Sequence, residues 1–354
     1  MRVLFAYKYL TLGGVETILR ARMAGLAHLG IEAHAWFLEE GPGRSLFHEM
    51  PERIHVGGLP DLHRYLEGQP PDVLTVIDSE DVLDVAEDLS RPVRVVIECH
   101  SPYPENRIYL RWARRQRVAA IFVPSLHQAR TVASWAGKIA PTRVIPNPLA
   151  EYFCQPLSEK EPRPTAPILL WIGRLDFLKN WTAYLKTCRR VVQGLPNVEI
   201  WLVGQASIRE AQGMLLRRGR QAGILHRLRW FRGVPHQRLP AFMDAVRMSG
   251  GLVLSTSRAE AFGMTIAEAM ARECAVLAPN EGPFQEYVRP GISGFLYTPG
   301  SAEDAARKAI RAIEDHELRQ EVGRRARQDI LASYSPERAL GVLANELRSV
   351  AQSV

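Results

Sequence analysis

Short apolar runs of strand length recur along this chain, each followed by a helix-length segment whose apolar residues stand three and four apart. In the first half the strand candidates are RVLFAY (2–7), EAHAWFL (32–38), DVLTVI (72–77), RVVIEC (94–99), AAIFV (119–123) and RVIP (143–146). In the second half they are ILLWIG (168–173), VEIWLVG (198–204), LRWFRG (228–233), GGLVLST (250–256), AVLAP (275–279) and GFLY (294–297). Between the first two strands, Val15, Ile18, Leu19, Met23 and Leu26 mark one face of a helix that Gly30 is suited to end. Strands alternating with crossover helices predict parallel sheets in Rossmann-like layers.

A chain of 354 residues, 46% of them apolar, exceeds what one core usually holds, so two domains are expected. The rhythm breaks at CQPLSEKEPRPTAP (154–167), where four prolines and four charges read as a linker between 1–155 and 165–335. Three helix-like segments close the chain, the last being PERALGVLANELRSVAQSV (336–354). The predicted class is therefore α/β, two Rossmann-like domains with a cleft between them, and ligands belong at the carboxyl ends of the strands.

Composition narrows the function classes. No stretch approaches the roughly 18 consecutive apolar residues of a membrane span, and the N-terminus lacks a signal-peptide cleavage site, so a cytoplasmic protein is expected. Cys99, Cys154, Cys188 and Cys274 form no C-x-x-C pair and suggest neither disulfides nor zinc. The net charge of +7 allows an anionic partner without choosing one. The arginine-rich segments at 106–117 and 215–233 read first as solvated helix faces whose stems cover apolar surface. No nucleic-acid-binding signature accompanies them, and nucleic acid is not expected as a partner. G-x-G-x-x-G and G-x-x-x-x-G-K-[ST] are both absent, which argues against a nicotinamide dehydrogenase and a P-loop nucleotidase.

Three strand-to-helix turns carry candidate chemistry. In AEAFGMTIAEAMA (259–271) Glu260 falls in the connecting turn and Glu268 in the first helical turn, with Thr265 as expected N-cap and Thr265-x-x-Glu268 as a capping box. The amides near Phe262, Gly263, Met264 and Thr265 would then point at an anion, and Gly263 would let it come close. In WIGRLDFLKNW (171–181) Gly173 ends a strand, and Arg174 and Lys179 precede a helix starting near Trp181; two cations at such a turn suit a diphosphate or stand solvated. In LGGVE (12–16) Gly13 and Gly14 bring backbone amides to the end of the first strand.

With GGVE, VIPNPLAEYF, IGRLDFLKN, FRGVPHQRLPAFMDA, AEAFGMTIAEAMARECAVLAPNEGPFQEYV and GISGFLY in this order, the chain resembles the large fourth family of retaining nucleotide-sugar glycosyltransferases (glycosyl transferases group 1). The resemblance implies the B-type fold, two Rossmann-like domains facing each other across a cleft, the first for the acceptor and the second for the donor, with a C-terminal helix of about 336–354 crossing back. It implies that Glu268 receives the ribose hydroxyls and that Glu260 positions the donor sugar. Arg174 and Lys179 would neutralise the leaving diphosphate, and Gly14, Gly173 and residues Phe262 to Thr265 would hold the donor. His100, in ECHSPY, matches the family's active-site histidine; a hydrogen-bonded loop histidine is the plain alternative. The other nine histidines receive no role. Three positions depart from the family's pattern: Glu273 and Pro148 stand where glycine is usual, and Gly282-Pro283 replaces a double glycine.

The expected reaction is transfer of a sugar to a glycan, lipid-linked or small-molecule hydroxyl with front-face attack, and no cofactor or metal is expected. IDSED (77–81), the nearest match to a metal-binding Asp-x-Asp, reads as an ordinary strand-end loop. A nucleotide-sugar epimerase, a non-catalytic sugar-binding protein and, remotely, a nucleic-acid binder are the other readings. For the acceptor the candidates are LEEGPGRSLF (38–47) and the segment 101–117, where Tyr109 and Trp112 among basic residues suit an anionic glycan, peripheral contact with a membrane, or simple packing.

Overall fold

The computed structural model describes residues 1–111, 118–157, 164–205 and 209–352. Trp112 and the last arginines of the first basic segment, and the middle of the proline-rich linker at 158–163, lie outside them. The chain forms two compact units: Met1–Ala150 together with Ser333–Val354, and Glu151–Ala332.

The first unit is built on a seven-stranded sheet of β1 (Arg2–Tyr9), β2 (Glu32–Glu39), β3 (Ile54–Val56), β4 (Val73–Ile77), β5 (Arg94–Glu98), β6 (Val118–Val123) and β7 (Thr142–Val144). Its order is β3-β2-β1-β4-β5-β6-β7 and every pairing is parallel. All five residues of β4 are buried, as expected of a central parallel strand covered on both faces. β3 has no counterpart in the sequence reading, because three residues at a sheet edge carry too little pattern to detect.

The helix Gly14–His28 packs Leu19, Met23 and Leu26 into this core, with Val15 at its margin and Ile18 also buried. Gly30, at φ +71°, makes the left-handed turn after it. The last helix, Pro336–Gln352, buries Leu340, Leu343 and Leu347 in the same core. A Cβ on Gly25 would overlap Leu340 Cδ1, so a side chain there would have to push Leu340 aside. Where the chain leaves and re-enters this unit, Leu149 N–H donates to Tyr334 O at 3.0 Å.

The second unit repeats the plan with six parallel strands: β8 (Ile168–Ile172), β9 (Glu199–Val203), β10 (Leu228–Phe231), β11 (Leu252–Leu254), β12 (Val276–Pro279) and β13 (Phe295–Tyr297). The order β10-β9-β8-β11-β12-β13 runs outward in both directions from β8 and β11. These neighbouring strands send their following helices opposite ways, and a crevice opens at such a switch point beyond their carboxyl ends. Trp171, Trp181 and Tyr184 fill the core beneath it.

Tyr109 is buried, with its hydroxyl 3.9 Å from Cys99 Sγ, so it belongs to the first core and presents no surface to an acceptor. In the second basic segment the exposed Arg218 lies over Trp181 at 6.0 Å and the exposed Arg232 over Trp230 at 5.0 Å, so these side chains cover aromatic faces. Among the described residues no helix is long and apolar enough to cross a membrane.

Candidate functional site

The loops after β8 and β11 meet at the switch point of the second unit. Thr256 fastens them: its hydroxyl lies 3.0 Å from Trp171 Nε1, which donates to it, and 3.2 and 3.1 Å from the carbonyls of Lys179 and Asn180. Asp176 Oδ1 accepts from Lys179 N–H at 2.8 Å, and Asn180 at φ +52° turns the chain into the helix Trp181–Gly194. Lys179 is thereby aimed across the crevice. Its Nζ donates to Glu260 Oε1 at 2.6 Å, and Ser257 Oγ donates to the same oxygen at 2.7 Å.

The recess around this pair is lined by Lys179, Ser255, Ser257, Glu260, Gly263 and Thr265, over Trp171 and Phe284. Its floor is the start of the helix Met264–Ala271, whose N-cap is Gly263 at φ +87°. A Cβ there would lie 2.5 Å from Phe284 Cε1 and 2.9 Å from Tyr287 Oη, so glycine is required by conformation and by space. Tyr287 O–H in turn reaches the carbonyls of Phe262 and Gly263 at 3.0 and 3.1 Å. The first amides of the helix, those of Met264 and Thr265, precede any helical carbonyl they could bond, and Gly263 and Thr265 on either side of Met264 line the recess.

The capping-box expectation fails here. The helix starts one residue before Thr265, because the left-handed glycine turns the chain sooner, and Glu268 sits in the second turn instead of capping the first. Its side chain, 4% exposed, accepts at Oε1 from His236 Nε2 at 2.9 Å, and His236 Nδ1 is hydrogen-bonded to Tyr152 Oη. The helix ends in a Schellman arrangement, with Glu273 N–H donating to Met270 O and Cys274 N–H to Ala269 O, both at 3.0 Å. Glu273 therefore occupies the left-handed position, at φ +55°, that glycine usually fills.

The structure brings Lys179, Glu260, Gly263 and Thr265 together; Arg174 and Glu268 do not line the recess. Arg174 follows Gly173, the first residue after β8, whose N–H donates to Val203 O at 3.0 Å. Its side chain, 64% exposed, has Nε 3.2 Å from Asp176 Oδ2, so a residue of the same loop holds it.

His100 and Gly14 belong to the first unit. His100 Nε2 lies 2.7 Å from Glu98 Oε2, and Arg22 donates to the same oxygen at 2.5 Å; Arg22 and Glu98 are both fully buried. Burial opposes the charge on Glu98, yet the Arg22 guanidinium and the His100 hydrogen bond outweigh it and hold its pKa at about 2. Asp78, the first acid of IDSED, turns inward at φ +43° and accepts from His100 N–H at 3.1 Å. Burial pushes its pKa up to about 7, against the pull of the His100 and Ser101 amides. Among the described residues no group of three or more His, Cys, Asp or Glu is placed to hold a metal.

At Gly14, the first residue of its helix, an added Cβ would meet nothing within 4 Å. At Gly13 it would lie 2.6 Å from Glu16 Oε2, because Glu16 folds back to accept from Thr11 N–H and Oγ1 at 2.6 and 2.5 Å. Sequence reasoning missed this contact of Glu16 and the position of His236. The only signal for His236 was its place in FRGVPHQRL, one residue after the proline that follows β10.

Residues 156–329, which contain the whole recess, match the model of the family described as glycosyl transferases group 1. Trehalose synthase of Thermococcus litoralis is 27% identical over 176 residues, 48% of this chain and 41% of that protein. N-acetyl-alpha-D-glucosaminyl L-malate synthase of Bacillus anthracis is 31% identical over 87 residues, 25% of this chain and 23% of that one. The chain thus spans less than half the length of these curated relatives. The crystal structure of Anabaena HepE in complex with UDP and glucose superposes with a TM-score of 0.84 at 20% identity, covering 99% of this chain and all of that one, which establishes a shared fold. Over residues 156–329, just under half of its length, the chain thus matches the glycosyl transferases group 1 family.

Proposed function

We propose that the protein is a retaining glycosyltransferase that moves a sugar from a nucleotide-sugar donor to an acceptor hydroxyl, with no metal or other cofactor. The observation that carries this reading is the Lys179–Glu260 pair at the mouth of a helix N-terminus, at the switch point of the second sheet. A diphosphate entering the recess can take Lys179 and the Met264 and Thr265 amides as ready counter-charges, and Arg174 stands exposed on the same loop.

In the proposed step the bond from the anomeric carbon to the leaving phosphate oxygen breaks, and a bond to the acceptor oxygen forms on the same face. The acceptor's proton passes to the departing diphosphate oxygen. Glu260, held by Ser257 and Lys179, orients the sugar and offsets positive charge on it without forming a covalent bond. Glu268 takes the ribose hydroxyls, and His100, oriented by Glu98, contacts the sugar being transferred. The acceptor is a carbohydrate or a lipid-linked glycan, with a peripheral membrane contact in the second case.

The test is calorimetric binding of UDP-, GDP- and ADP-sugars, followed by product analysis with a panel of carbohydrate and glycolipid acceptors. Binding of one donor and an axial or equatorial product linkage matching that donor supports the proposal. An inverted linkage overturns retention, and interconversion of the donor without an acceptor points to an epimerase.

A further inference from the structure

In the second unit Glu268, His236 and Tyr152 form a hydrogen-bonded chain of side chains. Glu268 projects from the second turn of Met264–Ala271, and its carboxylate is almost completely buried. Among the described residues its one side-chain partner is His236, at 2.9 Å from Oε1. His236 starts the 3₁₀ turn His236–Arg238 that leads into the helix Leu239–Ser249. Its ring is boxed by two aromatic residues of the short helix Glu151–Cys154: Tyr152, with ring centroids 5.6 Å apart at 75°, and the buried Phe153, at 5.2 Å and 63°. Tyr152 Oη closes the chain on Nδ1.

An ionised carboxylate only accepts, so Nε2 carries a proton and donates it to Oε1. In the neutral tautomer that serves Glu268 the acceptor is Nδ1, where Tyr152 O–H can donate. Tyr152 thus sets the tautomer, His236 sets the rotamer of Glu268, and Oε2 is left without a partner among the described residues. A carboxylate held at one oxygen, with the other presented, can take the paired hydroxyls of a ribose as charge-assisted bonds.

We propose that His236, locked by Tyr152, is a positioning residue that orients Glu268 for the ribose of the donor and so sets selectivity for ribonucleotides over 2′-deoxyribonucleotides. The inference rests on the proposed function, in which Glu268 is the ribose acceptor. His236→Phe keeps a ring between Tyr152 and Phe153 but donates nothing to Glu268. His236→Gln restores a donor at the Nε2 position, and Tyr152→Phe keeps the packing while releasing the tautomer.

The experiment is isothermal calorimetry of the full chain and of these variants, with UDP, GDP and ADP and their 2′-deoxy counterparts. The ribonucleotide that binds the wild type should be weakened about tenfold or more in His236→Phe, with its advantage over the deoxy form shrinking towards one. His236→Gln should keep most of that advantage, and Tyr152→Phe should lose part of it. An unchanged ribose preference in a folded His236→Phe, or in Tyr152→Phe should His236→Phe not fold, overturns this inference and leaves the proposed function standing. Wild type that binds none of the six nucleotides, or a Glu268→Ala variant with undiminished ribose preference, overturns the reading of Glu268 on which it rests.

Discussion

Lys179 Nζ and Glu260 Oε1 lie 2.6 Å apart, across the gap between two neighbouring parallel strands whose helices run opposite ways. Each residue is partly exposed, so the pair contributes little to stability, about 1 kcal/mol at most. Its value is positional: it holds a cation and an anion ready beside a helix N-terminus.

Lys179→Ala should therefore leave the melting temperature within a few degrees of wild type while lowering nucleotide release from the preferred donor roughly 100-fold or more. Thermal melts beside a coupled nucleotide-release assay check both halves. Retained turnover would remove Lys179 from the diphosphate site.

Glu273 occupies a left-handed backbone position at φ +55° after the helix that carries Glu268. Glycine adopts that conformation without the steric cost a Cβ imposes, roughly 1 kcal/mol. Glu273→Gly should accordingly stabilise the second unit by about that amount, read as a raised midpoint in urea with an unchanged slope.

Gly263 behaves in the opposite sense. At φ +87°, with Phe284 and Tyr287 against the place of a Cβ, Gly263→Ala should destabilise by more than about 1 kcal/mol. It should also weaken donor binding, since the first amides of the helix would shift. Denaturant melts and nucleotide calorimetry on the same preparation test the two effects.

The buried carboxyl groups of the first unit titrate in opposite directions. Asp78 has its pKa raised in the folded chain to about 7 from an ordinary 3.8, so its contribution is full below the ordinary value and is lost as pH rises through 7. Asn tolerates the left-handed backbone at this site, and Asp78→Asn should flatten the fall in stability between about pH 4 and pH 7. Urea unfolding across that range measures the slope.

Glu98, lowered to about 2 from an ordinary 4.5, contributes stability above its ordinary value and loses it as pH falls towards 2. Glu98→Gln would leave Arg22 buried without a counter-charge and should cost roughly 3–5 kcal/mol. Far-UV melts at neutral pH would show it, and a loss below about 1 kcal/mol would mean Arg22 finds another partner.

Much of this architecture was legible because parallel strands buried on both faces must be almost wholly apolar, as ILLWIG and DVLTVI are, and because glycine marks turns such as Gly30 and Gly263. The meeting of Lys179 and Glu260 was foreshadowed by their places after successive central strands. What escaped the sequence was decided by tertiary neighbours. Thr265 looked like a cap because nothing local reveals that Phe284 and Tyr287 leave room for no side chain at Gly263. His236 looked like one histidine among ten, since its partners stand 32 and 84 positions away.

The hydrogen bond from Leu149 to Tyr334 marks where the chain departs from and rejoins its first sheet. The second unit is thus inserted within the first, and its 182 consecutive residues, Glu151–Ala332, are all synthesised before Leu340 and Leu347 exist to cover the helix Gly14–His28. The half of the molecule that is translated first is the half that must wait longest to close.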